Sequence, residues 1–561
     1  MTAAVTVICL AAIGLSVPHF TGSHANARAQ ASAGHGTAGH GAKGAGGAAP
    51  AAPGVGTAST AAGVCGDPSL LTGPGAAPPG AVTIPAGLDS GTYDSPGTTY
   101  YFATGTHTLG PGPYQHIEPA TGDTYIGAPG AVLSGQWVNN AAFVGTASGV
   151  TIEDLTVEFF DPPGGQGAVN HDSGEGWTIE GDTLEHNAPG AALMVGTDDT
   201  VKGSCLTANG EYGFDAYATT DVSSVTGGPS NVMITGNEIS DNNTCNWEDV
   251  SPDPVPAAEV PADCPGTAAG QFDGCGCAGG GKFWQVDGAT VTDNDVDDNF
   301  DVGLWADTDN TGFGVDADTF SGNWGPGWQE EASYNFSITG DTFSDNGWGA
   351  GASNSGFPTG AVYISESGGD ARVPGPYSGT ALVSGNSFKD NWGGVVLWEN
   401  SNRFCSDGSD GVCTLVDPSV FTRASCAANL PTTASSGDPD YFDGCRWRTQ
   451  NVRVTHNVFE LTQSKVPGCE LATNSCGQNA LFSEYGSNAP YEGWVVPLTI
   501  SDHQDDRFAD NTYEGPWSFV AFNQGDRVTW AQWTGGFEDW NGSGDSFGAQ
   551  DAGSTYHPGS P

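Results

Sequence analysis

FSITGDTFSDN, residues 336–346, sets Ile338 two residues before Gly340, Phe343 three residues after it and Asn346 six after it. The same spacing returns in WTIEGDTLEHN (177–187), NVMITGNEISDNN (231–243), ATVTDNDVDDN (289–299) and ALVSGNSFKDN (381–391). When the chain is aligned on Gly181, Gly203, Gly236, Asp293, Ala317, Gly340, Gly385 and His456, the residue two before is always Ile or Val. The residue three after is always Leu, Ile, Val or Phe. Six after stand Asn187, Asn209, Asn242, Asn299, Asn323, Asn346 and Asn391, with Thr462 breaking the series. Uninterrupted intervals run 22 to 24 residues, as from Gly181 to Gly203 and from Asp293 to Ala317.

Helical repeats of this length would show a 3.6-residue apolar period. These units are short β-branched stretches between Gly, Asn and Asp turns. The pattern predicts an all-β, right-handed, single-stranded parallel β-helix, a solenoid in which each turn lies about 4.8 Å above the last. No turn buries its apolar face alone, so stacking supplies the core. The recurrent Asn is expected at a sharp bend in left-handed conformation, its amide bonding to the Asn above and below.

Composition agrees with a repeat. The chain has 561 residues, 86 Gly and 35 Pro for many turns, and 16 Trp and 25 Phe, too many for a disordered chain. Residues 1–30, with the apolar run AAVTVICLAAIGLSV followed by ANA and ARA, read as an export signal. Residues 31–63 form a Gly/Ala-rich linker, 64–148 the N-terminal cap and first turns, and 149–494 the repeats, with insertions at 244–281 and 401–450. Residues 495–561 complete the last turns and an aromatic C-terminal cap. Of 13 cysteines, Cys9 falls in the signal. Most of the others cluster in the irregular regions, where they are expected to staple loops by disulfides. Cys275 and Cys277 lack a second pair at zinc-finger spacing.

Lys plus Arg number 14 against 65 Asp plus Glu, a formal charge of −51. That field repels nucleic acid and anionic lipid, and no later apolar run is long enough to span a membrane. A secreted, soluble protein, monomeric and with polysaccharide as its partner, is the expectation.

The repeat resembles the right-handed parallel β-helix repeat of the pectate-lyase-like superfamily over roughly residues 91–548. More narrowly, GGGKFWQVDGATVTDN, GLWADTDN, FPTGAVYISESG, GVVLWENSNRFC and QDAGSTY resemble a group of secreted bacterial β-helix proteins. The resemblance implies an extracellular bacterial protein on a fold that hosts polysaccharide lyases, hydrolases, esterases, epimerases and non-catalytic adhesins.

Counting eight residues on from the ladder Asn gives Asp307, Glu331 and Glu399, and the intervening turn offers Glu366 in AVYISESG. The turn before Asp307 offers Lys282 and Asp287. Asp307, Glu331, Glu366 and Glu399 are therefore expected as one vertical row of catalytic carboxylates, with Lys282 beside them. Adjacent carboxylates push their pKa values apart and so provide an acid and a base. Glu330 presents a conflict, because alternation turns it inward when Glu331 faces out. Trp305 and Trp398 are candidates to stack on sugar rings. Trp328 and Trp392 lie in the same region, and any of these rings that faces inward is simply core. TDNDVDDNFD (292–301) and DTDN (307–310) carry hard oxygen ligands, so Asp307 and Asp309 are the candidates if calcium is used, although no cofactor is required. His171 and His186 fall at turns.

The function that fits best is a glycoside hydrolase on a neutral or weakly charged polysaccharide. A calcium-dependent lyase or epimerase is the alternative within enzymes, and a non-catalytic glycan-binding or cell-surface protein the alternative outside them.

Overall fold

The computed structural model describes residues 64–559, apart from 68, 90, 218–227, 248–263, 265–277, 355, 401–447, 485–492, 494 and 539–545. The segments expected to be an export signal and a linker, and most of both expected insertions, with Cys275, Cys277, Cys405, Cys413, Cys426 and Cys445, lie outside the described residues.

From the strand Gly167–Val169 onward a turn of the chain lays down three short strands, whereas the turns before it place strands in the first two sheets alone. One turn runs Thr178–Glu180, Thr183–Glu185 and Ala191–Met194 before the next begins at Thr200–Lys202. Corresponding strands pair in parallel with the turns above and below, producing sheets of 13, 14 and 11 strands. The result is the right-handed parallel β-helix expected from the repeat. The residues two before and three after the alignment point, such as Ile338 and Phe343, are fully buried. In the second sheet the latter stack ring on ring, Phe320–Phe343–Phe388–Phe459–Tyr513, with centroids 4.8, 5.0, 4.6 and 4.9 Å apart.

The bend between the first and second sheets falls on the alignment residue, which is left-handed whether it is Gly340 (φ 73°), Asp293 (58°), Ala317 (63°) or His456 (57°). The bend between the second and third sheets corrects an expectation. The ladder Asn is not left-handed there. The residue before it is, as at His186 (53°), Asp298 (50°) and Asp345 (60°). The Asn itself supplies hydrogen bonds: Asn299 Nδ2 donates to Asn323 Oδ1 at 3.0 Å, Asn323 to Asn346 at 2.8 Å and Asn346 to Asn391 at 3.0 Å.

A second ladder runs along the first corner, one residue after the alignment point, through Ser204, Asn237, Asn294, Asp318, Asp341, Asn386, Asn457 and Asn511. Three disulfides are described. Cys65–Cys205 ties the N-terminal segment to the second sheet, and Cys245–Cys264 and Cys469–Cys476 close local loops. At the far end the hairpin strand Arg527–Val528 pairs antiparallel with Ser518–Phe522 and ends the third sheet, and the helix Trp530–Gly535 packs its Trp533 against Phe519 and Phe547. Among the described residues no helix is long and apolar enough to cross a membrane.

Candidate functional site

The candidate residues lie on the outer side of the third sheet, on the strands Phe214–Ala216, Gly279–Trp284, Val302–Asp307 and Trp328–Glu331, continuing into Val362–Ser365 and Val395–Glu399. Two side-chain columns face outward. One reads Asp215, Lys282, Trp305, Gln329, Tyr363 and Val396. The other reads Trp284, Asp307, Glu331, Ser365 and Trp398. Between them Ala306, Ile364 and Leu397, and just before them Leu304 and Trp328, point into the coil and are fully buried.

Asp307 and Glu331 are in register as expected. The four-carboxylate row is not, because Glu331 aligns with Ser365 and Trp398, which leaves Glu366 and Glu399 one residue farther along. The turn leaving Asn391 reaches its strand one residue sooner than the turn leaving Asn323, since Val395 and Trp328 both pair with Val362. Counting from the ladder therefore overshoots there. Glu366 and Glu399 belong to a separate buried group: Glu366 Oε1 accepts from Asn400 N, and Glu399 Oε2 accepts from Thr449 N (3.1 Å) and Gln504 Nε2 (2.6 Å).

Lys282 is the centre of what remains. Its ammonium lies 2.9 Å from Asp307 Oδ2 and 4.4 Å from the Trp305 ring centroid, with Trp284 at 5.4 Å. Burial works against its charge, but Asp307, Asp215 and Glu331 outweigh that, and its pKa is raised. Asp307 also accepts from Thr308 Oγ1 at 2.8 Å, and Glu331 Oε2 accepts from Gln329 Nε2 at 2.9 Å. Burial pushes the Asp215 carboxyl up to about 7, with Lys282 pulling it down and Asp307 pushing it further up. Burial likewise pushes Glu211 up to about 8, against a hydrogen bond from Gly165 N. The cluster thus sets carboxyls that hold their protons near neutrality beside one that is ion-paired.

Glu330 resolves its own conflict. It does point inward; burial raises its pKa to about 8, and its Oε2 accepts from Trp328 Nε1 at 2.9 Å within the coil. At neutral pH it is a neutral acid, so no buried charge results.

The remaining candidates are placed as follows. Trp305 is 6% exposed and lies against Lys282, while Trp398 is 2% exposed and packs on Phe357 and Phe482, so neither presents an open ring face. Trp328 and Trp392 are in the core. Asp287 begins a first-sheet strand and accepts from Thr311 Oγ1, away from the cluster. Asp309 lies at the corner after Asp307, buried and left-handed (φ 61°). Among the described residues no three His, Cys, Asp or Glu side chains converge in a manner suited to a metal ion. His171 bonds to Gly167 O and His186 stacks on Phe159.

Asp215 and Glu211 were missed by the sequence reading. Counting six residues from the ladder Asn, rather than eight, reaches Asp215 from Asn209, Trp305 from Asn299 and Gln329 from Asn323, which is the other outward column.

No family model matches the sequence, and no curated protein matches it. Among solved structures the chain is similar to the A-module of mannuronan C-5 epimerase AlgE4 of Azotobacter vinelandii, at 12% identity over 76% of this chain and 88% of that one, with a TM-score of 0.38. It is similar to the periplasmic alginate epimerase AlgG at 9% identity, over 76% and 78% of the two chains, with a TM-score of 0.33. It is also similar to PfbA, a surface adhesin of Streptococcus pneumoniae, at 9% identity, over 54% and 79%, with a TM-score of 0.33.

Proposed function

We propose that the protein is a secreted, carbohydrate-active β-helix enzyme of bacterial origin, a glycoside hydrolase on a neutral or weakly charged polysaccharide, working as a monomer with no required cofactor. The observation that carries this reading is the Lys282-centred cluster. Asp307 is ion-paired at 2.9 Å with Lys282, and Asp215 keeps its proton up to a pH of about 7. A glycosidic bond breaks when one carboxyl protonates the leaving oxygen while another carboxylate supports the anomeric carbon or activates water. Asp307 and Glu331 stand on adjacent rungs, about 4.8 Å apart by strand spacing and close to the separation used by retaining enzymes. In this reading Glu331, oriented by Gln329, gives its proton to the leaving oxygen while Asp307, held ionised by Lys282, bonds to the anomeric carbon; water then displaces Asp307 and returns a proton to Glu331, with Asp215 as a nearby proton reservoir. The Lys282 charge is already taken up by Asp307, which leaves less of it to neutralise a uronic acid and favours hydrolysis over elimination.

The test is a screen over diverse polysaccharides, with and without calcium, that follows both new reducing ends and the ultraviolet absorbance of unsaturated products. Hydrolysis lost in Asp307→Asn and in Glu331→Gln supports the reading. Unsaturated products would make the protein a lyase instead, and inactivity on every substrate, with retained binding, a glycan-binding protein.

A further inference from the structure

The first-corner ladder is built mainly from asparagine, and each of its amides does two things. The Oδ1 accepts from the rung before, and the Nδ2 donates to a backbone carbonyl of that rung. Asn237 donates to Val201 O, Asn294 to Ile234 O, Asn386 to Ile338 O and Asn457 to Val383 O, each at 3.0 Å, and Asn511 to Val454 O at 2.9 Å. The acceptor is in every case the carbonyl two residues before the left-handed residue.

At two consecutive rungs the chain places Asp318 and Asp341 instead. Their Oδ1 atoms keep the ladder role: Asp318 Oδ1 accepts from Asn294 N (2.7 Å) and Nδ2 (2.8 Å), and Asp341 Oδ1 accepts from Asp318 N (2.8 Å). Their Oδ2 atoms stand where asparagine carries its donor, and both are buried without a hydrogen-bond partner. By the same spacing the carbonyls they meet are Val291 O and Val315 O. An ionised Oδ2 would set acceptor against acceptor in a dry corner, a costly arrangement.

We propose that Asp318 and Asp341 are carried as neutral carboxylic acids whose Oδ2–H groups donate to Val291 O and Val315 O, so that the coil is complete only while both are protonated. The surroundings agree. Burial is the main influence on both groups and holds them at about 7 and about 8, respectively. The charged groups that face them are acids and add to the effect, Asp293 at Asp318 and both Asp318 and Asp316 at Asp341, while hydrogen bonds from Asn294 and Asp316 to Asp318 and from Asp318 to Asp341 work against it. A carboxyl whose folded pKa lies above its unfolded value of about 4 contributes stability that is fully present below that value. The contribution is lost as pH rises through the folded value, here a window from about 4 to about 8. The device makes this middle stretch of the coil tighter in mild acid than in mild base.

The experiment is thermal unfolding of the full chain near pH 5 and near pH 8.5, comparing wild type with the double variant Asp318→Asn/Asp341→Asn, which supplies the donor at every pH. The expected result is a melting temperature several degrees above wild type in base and close to it in acid. A difference that does not change between the two conditions overturns the proposal. An infrared difference spectrum near pH 6 gives a second reading that does not depend on stability. Glu330, Glu211 and Asp215 contribute a protonated-carboxyl stretch to both proteins, so the expected result is a positive wild-type-minus-variant band in that region, and equal intensity in the two proteins also overturns the proposal.

Discussion

The outer face of the third sheet changes character between two neighbouring rungs. Up to the strand Trp328–Glu331 it carries Asp215, Lys282, Trp305, Asp307, Gln329 and Glu331. From Val362–Ser365 onward the same two columns carry Tyr363, Val396, Trp398, Ala480, Phe482 and Val520, which with Phe357 form a buried apolar cluster of their own. The backbone is continuous and equally paired across the boundary, where Gln329 meets Tyr363 and Glu331 meets Ser365. One scaffold therefore supports two opposed environments, and what differs is only which side chains the strands present. A cavity of about 20 Å³, roughly water-sized, marks the seam beside Gln329, Phe357 and Tyr363.

The contrast can be broken from either side. Trp398→Ala on the apolar half should cost about 3–5 kcal/mol in urea unfolding, as expected for a large buried aromatic. Unchanged stability with weakened substrate binding would instead make Trp398 a ligand platform. On the polar half, Lys282→Met removes one partner of a buried ion pair and should cost about 3 kcal/mol by leaving Asp307 uncompensated. A loss under about 1 kcal/mol would mean that the cluster is well solvated.

Subtler changes sharpen the comparison at the seam. Gln329→Met, close in volume, removes the hydrogen bond to Glu331 at a cost of about 1 kcal/mol. If Glu331 serves catalysis, the variant should show a larger fall in kcat than rise in KM on a substrate found by the screen. The smallest expected effect is beneath the polar face. Glu330→Gln should be nearly neutral near pH 5 and more stable than wild type above pH 8, because wild type loses stability as pH rises through the raised value of about 8. Parallel melting curves across that range would show that Glu330 is not held neutral.

The repeat length, the apolar positions and the Asn ladder were legible because each turn repeats the same physical demand with the same residue type. The second ladder was not, since Asn, Ser and a carboxyl can each supply the accepting atom at the corner, and residue identity drifts. The Asp307–Glu331 register could be read because Asn299 and Asn323 begin uninterrupted turns. Beyond Asn346 the helix Trp348–Ser353 and its flanking chain occupy the turn, and the shorter turn from Asn391 moves the count by one, so Glu366 and Glu399 were placed in a row that they do not join. Asp215 escaped because only one of the two outward columns was counted. Glu330 shows the opposite case, in which the sequence signalled a conflict and burial beside Trp328 supplies its resolution.

The Asn ladder has one more consequence. Asn323 and Asn346 are 23 residues apart in sequence and bond at 2.8 Å; Asn242 and Asn299 are 57 apart and bond at 3.1 Å. The closure of a rung is thus indifferent to how much chain leaves and returns between two rungs. Loops can be lengthened, shortened or exchanged at such points while the contacts that define the axis persist, so the coil is a chassis on which new surfaces can be grafted, in evolution or at the bench, without renegotiating the architecture.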